Sequence, residues 1–272
     1  MELVFWGVRG SIPTPGMEFS RYGGNTSCVE LRIDDTVIIF DMGSGIKKLG
    51  DSLVKRNIKN FDILVSHFHY DHTCGLPFFK PAYDPTFSFS IRSGKMESRK
   101  DVLGVLNSQI CSPSFPITVN NFNANVEYKN FDIGKPFYLK DKNIKIDTIN
   151  LNHPDGAIGY RVCVGKKSVC YITDHEHTLG KENQSLIDFL KDSNVLIYDS
   201  TYKDEDFKNY IGWGHSTWQE GCRLAKLANI KKYFIYHHNP DNTDDEMEKI
   251  EKGSRMIDNN FFVAKEGMCV NI

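Results

Sequence analysis

The stretch Phe61-Asp-Ile-Leu-Val-Ser-His67-Phe-His69-Tyr-Asp71-His72-Thr-Cys-Gly75 decides how the remaining chain is read. Ile63, Leu64 and Val65 are a short apolar run of the kind that forms a fully buried strand. The sequence then changes at once to four metal-grade side chains, His67, His69, Asp71 and His72. His67 and His69 alternate, so an extended backbone points both imidazoles the same way. Asp71 and His72 come from the following turn and can face a second ion. The plainer alternative is a solvated loop, or histidines satisfied by backbone carbonyls. With nine histidines in 272 residues, His-x-His-x-Asp-His is rare by chance, and metal binding is the expectation.

A chain of 272 residues that is 40% hydrophobic and 25% charged can bury a sizeable core. No Pro/Gly/Ser-rich or charged linker divides it, and the candidate ligands run from His67 to His238, so a single domain over residues 1–272 is expected. The formal net charge of −2 gives no basic footprint and argues against a long nucleic acid as partner. Seven cysteines without a Cys-x-x-Cys pair argue against a disulfide framework. The N-terminal segment has no signal-peptide pattern, and no apolar run approaches membrane-spanning length. A cytoplasmic protein with no membrane partner is therefore expected. A homodimer is left open.

Outward from the metal stretch, Leu3 to Trp6 reads as a strand, followed by glycine-punctuated loops containing Arg9, Asn25, Thr26 and Ser27. These could donate to a phosphate or simply form tight turns. Val29 to Ile33 and Val37 to Phe40 read as a hairpin ending in Asp41, and Ile46 to Arg56 has helical spacing. Between Leu76 and Lys135 the order is hard to read. Met96 to Ile110 is taken as one helix beside a strand near Phe87 to Arg92, and Phe78, Phe79, Phe87, Phe89 and Phe115 as either core or a pocket wall where a base could stack.

Ile144 to Leu151 is a strand delivering His153, and the hairpin of Ile158 to Val164 and Ser168 to Thr173 ends in Asp174, with His175, Glu176 and His177 following. A helix from Asn183 to Lys191 leads to a strand ending at Asp199. Ser216 or Thr217 can cap the helix running to about Asn229, and the next strand ends in His237-His238. Asp244 to Ile257 is an amphipathic helix. Phe261 to Val263 and Met268 to Val270 are expected to close the second sheet.

The complete His67-x-His69-x-Asp71-His72 pattern resembles the signature of the metallo-β-lactamase superfamily of hydrolases. That resemblance implies an α/β fold, a four-layer αββα sandwich, with a dinuclear metal site at one edge of its two sheets. His153 and Asp174 stand where the superfamily has its third histidine and bridging carboxylate. Asp41 resembles the buried carboxylate that orients its metal-binding histidines. The run Gly214-His-Ser-Thr217, a helix and a strand closing on histidine resembles the phosphodiesterase branch, which includes RNase Z and smaller cyclic-phosphodiester hydrolases. No long glycine- and proline-bearing arm of the RNase Z kind is visible.

Carried over, the resemblance implies that His67, His69 and His153 hold one metal, that Asp71, His72 and His237 hold the other, and that Asp174 bridges. His238 replaces His237 if the register slips by one residue. His215 and Asp71 are the implied catalytic residues. Asp41, Asn25, Asp199, Glu176 and His238 are candidates for orienting ligands or touching substrate. Two divalent ions are expected, zinc by ligand type, with manganese or iron as alternatives. Such a pair makes hydroxide available from a shared water at neutral pH and polarises a phosphoryl oxygen, and His215 supplies the leaving group's proton. The expected substrate is a small or cyclic phosphodiester, with a cyclic nucleotide as one candidate. A carboxyl-ester or thioester hydrolase of the lactonase or glyoxalase II kind is the alternative. A diiron redox or oxygen-binding protein is the more distant one, and His69 argues against it where such a site has a carboxylate.

Overall fold

The computed structural model describes residues 1–95, 101–139 and 143–272. In chain order, β1 (Glu2–Gly7), β2 (Cys28–Ile33), β3 (Thr36–Phe40), α1 (Ile46–Arg56), β4 (Asn60–Leu64), β5 (Ser88–Gly94), α2 (Val102–Gln109) and β6 (Asn125–Phe131) make up the first half. The second half comprises β7 (Phe137–Leu139), β8 (Ile144–Leu151), β9 (Ala157–Val164), β10 (Lys167–Ile172), α3 (Gln184–Leu190), β11 (Val195–Asp199), α4 (Trp218–Leu227), β12 (Lys232–Tyr236), α5 (Asp244–Ile257), β13 (Phe261–Val263) and β14 (Cys269–Asn271).

Among the described residues these strands form two seven-stranded sheets, ordered β14-β1-β2-β3-β4-β5-β6 and β13-β12-β11-β10-β9-β8-β7. The strand residues alternate between two buried faces. In β3, Ile38 and Phe40 point between the sheets, while Val37 and Ile39 point outward under α1. The inter-sheet layer joins Phe5, Leu31 and Phe40 to Tyr160, Tyr171, Ile197 and Phe234, and Phe40 stacks on Tyr171 with ring centroids 4.8 Å apart. Outside it, Leu49 and Leu53 of α1 cover the first sheet, and Leu186, Leu224 and Met247 from α3, α4 and α5 cover the second. Burial on both faces explains why so many strands read as unbroken apolar runs, and the result is an αββα sandwich.

The two sheets bring one set of strand ends to a common edge. β3 and β4 run parallel, as do β10, β11 and β12. β8 and β10 both pair antiparallel with β9 and so share a direction. Asp41, His67, His153, Asp174 and His237 follow the C-terminal ends of these strands and Asp199 is the last residue of β11, at the edge where open α/β sheets place their ligands. Asp41, Asp174 and His237 leave their strands with φ of 60°, 53° and 58°, in the left-handed region that non-glycine residues seldom occupy.

Three readings of the sequence change. The last strand, expected to close the second sheet, pairs instead with β1 at the edge of the first. Phe79, Phe87 and Phe89 are core residues packed around Phe61, not a pocket wall. Phe78, by contrast, is exposed and meets Phe115 edge-on. Of the helix expected over Met96 to Ile110, α2 accounts for the later part, and residues 96–100 lie outside the described residues. β6 escaped notice because it is an edge strand whose residues are all at least partly exposed, which leaves a weak alternation. Among the described residues no helix is long and apolar enough to cross a membrane.

α4 rests on β12 through Gly221, where an added Cβ would lie 2.0 Å from the Tyr233 hydroxyl. Tyr233 is buried and hydrogen-bonded to Ser200 Oγ at 2.8 Å, so it cannot retreat cheaply. Gly→Ala inside a helix ordinarily stabilises by roughly 0.5–1 kcal/mol. Here Gly221→Ala is expected to destabilise by about 1–3 kcal/mol through overpacking, read as a lower denaturant midpoint.

Candidate metal centre

Asp41 organises the floor of the centre. Its carboxylate is fully buried and accepts from Ser66 N at 2.7 Å, Ser66 Oγ at 2.8 Å, His72 Nδ1 at 2.8 Å and the Tyr171 hydroxyl at 2.8 Å. A carboxylate only accepts, so His72 carries its proton on Nδ1 and turns a bare Nε2 into the cluster. The same reasoning reaches His67. Ser66 gives its proton to Asp41 and therefore accepts from His67 Nδ1 at 3.0 Å. His67 Nε2 is then a buried nitrogen without a hydrogen-bond partner.

The other histidines are fixed in the same way. His153 Nδ1 donates to Gly214 O at 2.8 Å, which turns Nε2 toward His69 Nδ1 at 3.0 Å. His237 Nδ1 faces Thr201 Oγ1 at 2.9 Å, and Thr201 donates onward to Asp199 Oδ1 at 2.8 Å. His237 Nε2 thereby meets Asp71 Oδ2 at 3.2 Å and His72 Nε2 at 3.4 Å. Space at this point is tight, since a Cβ on Gly10 would lie 2.3 Å from the His237 ring. Ser11 N donates to Asp71 Oδ2 at 2.8 Å and holds that carboxylate in place.

Two groups result, His67/His69/His153 and Asp71/His72/His237, each with ligand atoms within 4.8 Å of one another. Asp174 lies between them. Its Oδ1 is 3.6 Å from His67 Nε2 and 3.7 Å from His153 Nε2, and its Oδ2 is 3.2 Å from His72 Nε2 and 3.4 Å from His237 Nε2. One oxygen thus faces each group, which is the arrangement a bridging ligand needs. The residues fit a pair of cations on chemical grounds as well. The Nε2 atoms of His72 and His237, both left bare by the bonds at Nδ1, face one another at 3.4 Å, and His67 Nε2 is orphaned. Burial opposes the charge on Asp71 and Asp174, and both carboxyls are held well below the usual range only by positive charge on the surrounding histidines, which bound cations would supply in its place. Buried anions ringed by lone pairs call for positive charge.

His215 stands at the rim. It precedes α4, whose first turn is capped by Thr217 Oγ1 accepting from Glu220 N at 3.1 Å. Its Nδ1 donates to Asp199 Oδ2 at 2.9 Å, and its ring stacks on His237 at 4.9 Å. Burial lowers its pKa, but Asp199, Asp174 and Asp71 outweigh that and raise it to about 9. Glu176 secures the preceding loop, because its Oε2 accepts from Gly212 N at 2.7 Å and Gly214 N at 2.8 Å.

The remaining candidates are held elsewhere. His238 Nε2 donates to Ala264 O at 2.8 Å, away from the cluster, and burial drives its pKa down to about 3. Asn25 is tied to Glu266 and Ser44. Arg9, considered as a phosphate donor, is fully buried, with its guanidinium on the carbonyls of Gly23, Asn239 and Asn242. Its loop is a structural turn. Sequence reading missed Ser66, Thr201 and the Gly214 carbonyl, which set histidine tautomers, and Tyr171, which donates to Asp41. Only adjacency to His67 and Asp199 hinted at Ser66 and Thr201.

Residues 39–238 match the family model described as β-lactamase superfamily domain, so the chain belongs to that superfamily. A ribonuclease Z of Picrophilus torridus is 24% identical over 317 aligned positions, which cover 100% of this chain and 96% of that protein. Among solved structures, the metallo-β-lactamase fold protein YhfI from Bacillus subtilis superposes with a TM-score of 0.75 at 17% identity, covering 99% of this chain and 98% of its own. A diphosphatase from the PhnP family gives a TM-score of 0.70 at 17% identity, covering 100% and 97%. These likenesses show the metallo-β-lactamase fold.

Replacing Asp41 with Ala removes the group that orients His72 and, through Ser66, His67. Metal affinity is expected to fall by roughly 10- to 100-fold, measured by competition with a chromogenic chelator. In the same assay, His238→Ala should bind metal like the parent and His237→Ala should lose one equivalent.

Proposed function

We propose that the protein is a dinuclear metal-dependent phosphodiesterase. The observation that carries this reading is the His215–Asp199 pair standing beside a cluster in which Asp174 turns one oxygen to each group of ligands. His67, His69 and His153 would hold one ion, Asp71, His72 and His237 the other, and Asp174 both. Five imidazoles and two carboxylates suit zinc, with manganese or iron as alternatives. When bound, the two cations supply positive charge for the phosphoryl oxygens and a lowered pKa for water.

The chain's own residues do the rest. Asp199 accepts from His215 Nδ1 and, through Oδ1, from Thr201, so its carboxylate fixes the imidazole and favours its protonated form. His215 Nε2 is thereby left to give a proton to the departing alkoxide. A phosphodiester leaving group of ordinary alcohol type needs that proton, and a well-placed acid contributes roughly 10²–10⁴-fold. Stacking on His237 keeps the ring over the cluster.

The name ribonuclease Z borne by relatives brings RNA into the substrate range beside small and cyclic diesters. The net charge of −2 still favours a short substrate over one gathered along a basic tract. The test is to assay one metal-loaded preparation on bis(p-nitrophenyl) phosphate, cyclic nucleotides, a tRNA precursor, a lactone and a thioester. Preference for the carboxyl-ester substrates would move the protein to the alternative hydrolase class. Efficient cleavage of the tRNA precursor, falling steeply with salt, would make it an RNA enzyme.

His215→Ala is expected to retain its metals while kcat drops by roughly 10²–10⁴-fold with little change in KM. Loss of metal in that variant would make His215 a ligand.

A further inference from the structure

Trp213 exposes 62% of its surface, although it sits in the loop that delivers His215. The core makes no use of it. Its ring meets Tyr210 edge-on at 5.7 Å, Tyr210 stacks on Tyr202 at 4.1 Å with 6° between planes, and Tyr202 meets His215 edge-on at 6.0 Å. With His215 stacked on His237, an aromatic series runs from the candidate metal centre to the surface on His215's side. The loop is also pinned. Glu176 holds the amides on both sides of Trp213, and Gly214 O receives the His153 proton. Gly212 and Gly214 have φ of 91° and 85°, and a Cβ on Gly214 would lie 2.2 Å from His153 Nδ1.

A fixed loop that holds a large flat apolar surface out to water, beside the residue that faces the leaving group, has the form of a recognition element. Trp213 and His215 are two residues apart, so their Cα atoms lie within roughly 7 Å of each other. A group attached to an oxygen protonated by His215 has this loop within reach. The commonest leaving alcohol of biological phosphodiesters that carries a flat ring is a nucleoside.

We propose that Trp213, backed by Tyr210, is the platform on which the base of a nucleoside leaving group stacks, and so sets the protein's preference for nucleotide diesters. The inference rests on the phosphodiesterase reading. In the step concerned, the oxygen of water bonds to phosphorus and the bond from phosphorus to the nucleoside oxygen breaks. That oxygen takes the proton of His215, and a proton from the attacking water restores it. Stacking on Trp213 places the base without taking part in the bond changes. Because every base has a π-face, the platform favours nucleosides over ringless alcohols more than one base over another.

The test compares adenosine 2′,3′-cyclic phosphate with glycerol 1,2-cyclic phosphate, which presents the same strained diester without a base, for the parent, Trp213→Ala and Trp213→Phe. Trp213→Ala should raise KM for the nucleotide by roughly ten-fold, leave kcat and metal content unchanged, and leave the glycerol ester unaffected. Trp213→Phe should recover most of the loss. An equal effect on both substrates, or none on the nucleotide, overturns the proposal. If the parent cleaves neither ester, the phosphodiesterase reading has failed, and the platform is judged by binding of adenosine 3′-monophosphate followed by tryptophan fluorescence and equilibrium dialysis. Weaker binding to Trp213→Ala then supports the platform. Equal binding, or no binding to the parent, overturns it.

Discussion

One buried carboxylate, Asp41, fastens the two halves of the molecule to the same site. It receives hydrogen bonds from His72 and Ser66 on the first sheet's loops and from Tyr171 on the second sheet. Each bond also does something at a distance. The bond to His72 selects its tautomer, the bond to Ser66 passes the same selection to His67, and the bond to Tyr171 ties β10, the strand that leads to Asp174, to the floor beneath both groups. An ionised carboxylate without these donors would be costly to bury, so the hydrogen bonds that orient the histidines are the ones that make its burial tolerable.

Asp199 repeats this logic on the second sheet. It orients His215 directly and His237 through Thr201, and its Oδ2 also accepts from His175 N at 3.1 Å. Two carboxylates that are not in either group of candidate ligands thus set the direction of four of the histidines that converge at the edge of the sandwich. The left-handed backbone at Asp41, Asp174 and His237 belongs to the same design. Each of these residues ends a strand by turning its side chain into the common edge, where an unstrained exit would carry it along the strand direction.

Much of this was legible in the sequence because strong local patterns coincide with strong structural demands. Ile46 to Arg56 and Asp244 to Ile257 form helices over those same spans, since their apolar spacing matches one buried face. His67 to His72 announced a site because four such side chains in one turn have few other uses. The ambiguity between His237 and His238 could not be resolved by spacing. The positive φ at His237 rotates it toward Asp71 and leaves its neighbour on Ala264, and nothing in the local sequence encodes that turn. Phe79, Phe87 and Phe89 stayed open between core and pocket wall for a related reason. Aromatic residues fill cores and line pockets alike, and only the packing around Phe61 separates the two. Long-range partners such as Tyr171 on Asp41 lie 130 residues apart, beyond the reach of any periodicity.

Holding a pair of ions joined by Asp174 is the role proposed for the two ligand groups. Anomalous diffraction at the zinc absorption edge, from crystals of protein saturated with zinc, tests it most directly. Two peaks are expected to flank the Asp174 carboxylate, one against His67, His69 and His153 and the other against Asp71, His72 and His237. A single peak, or two peaks with Asp174 touching only one of them, would contradict it.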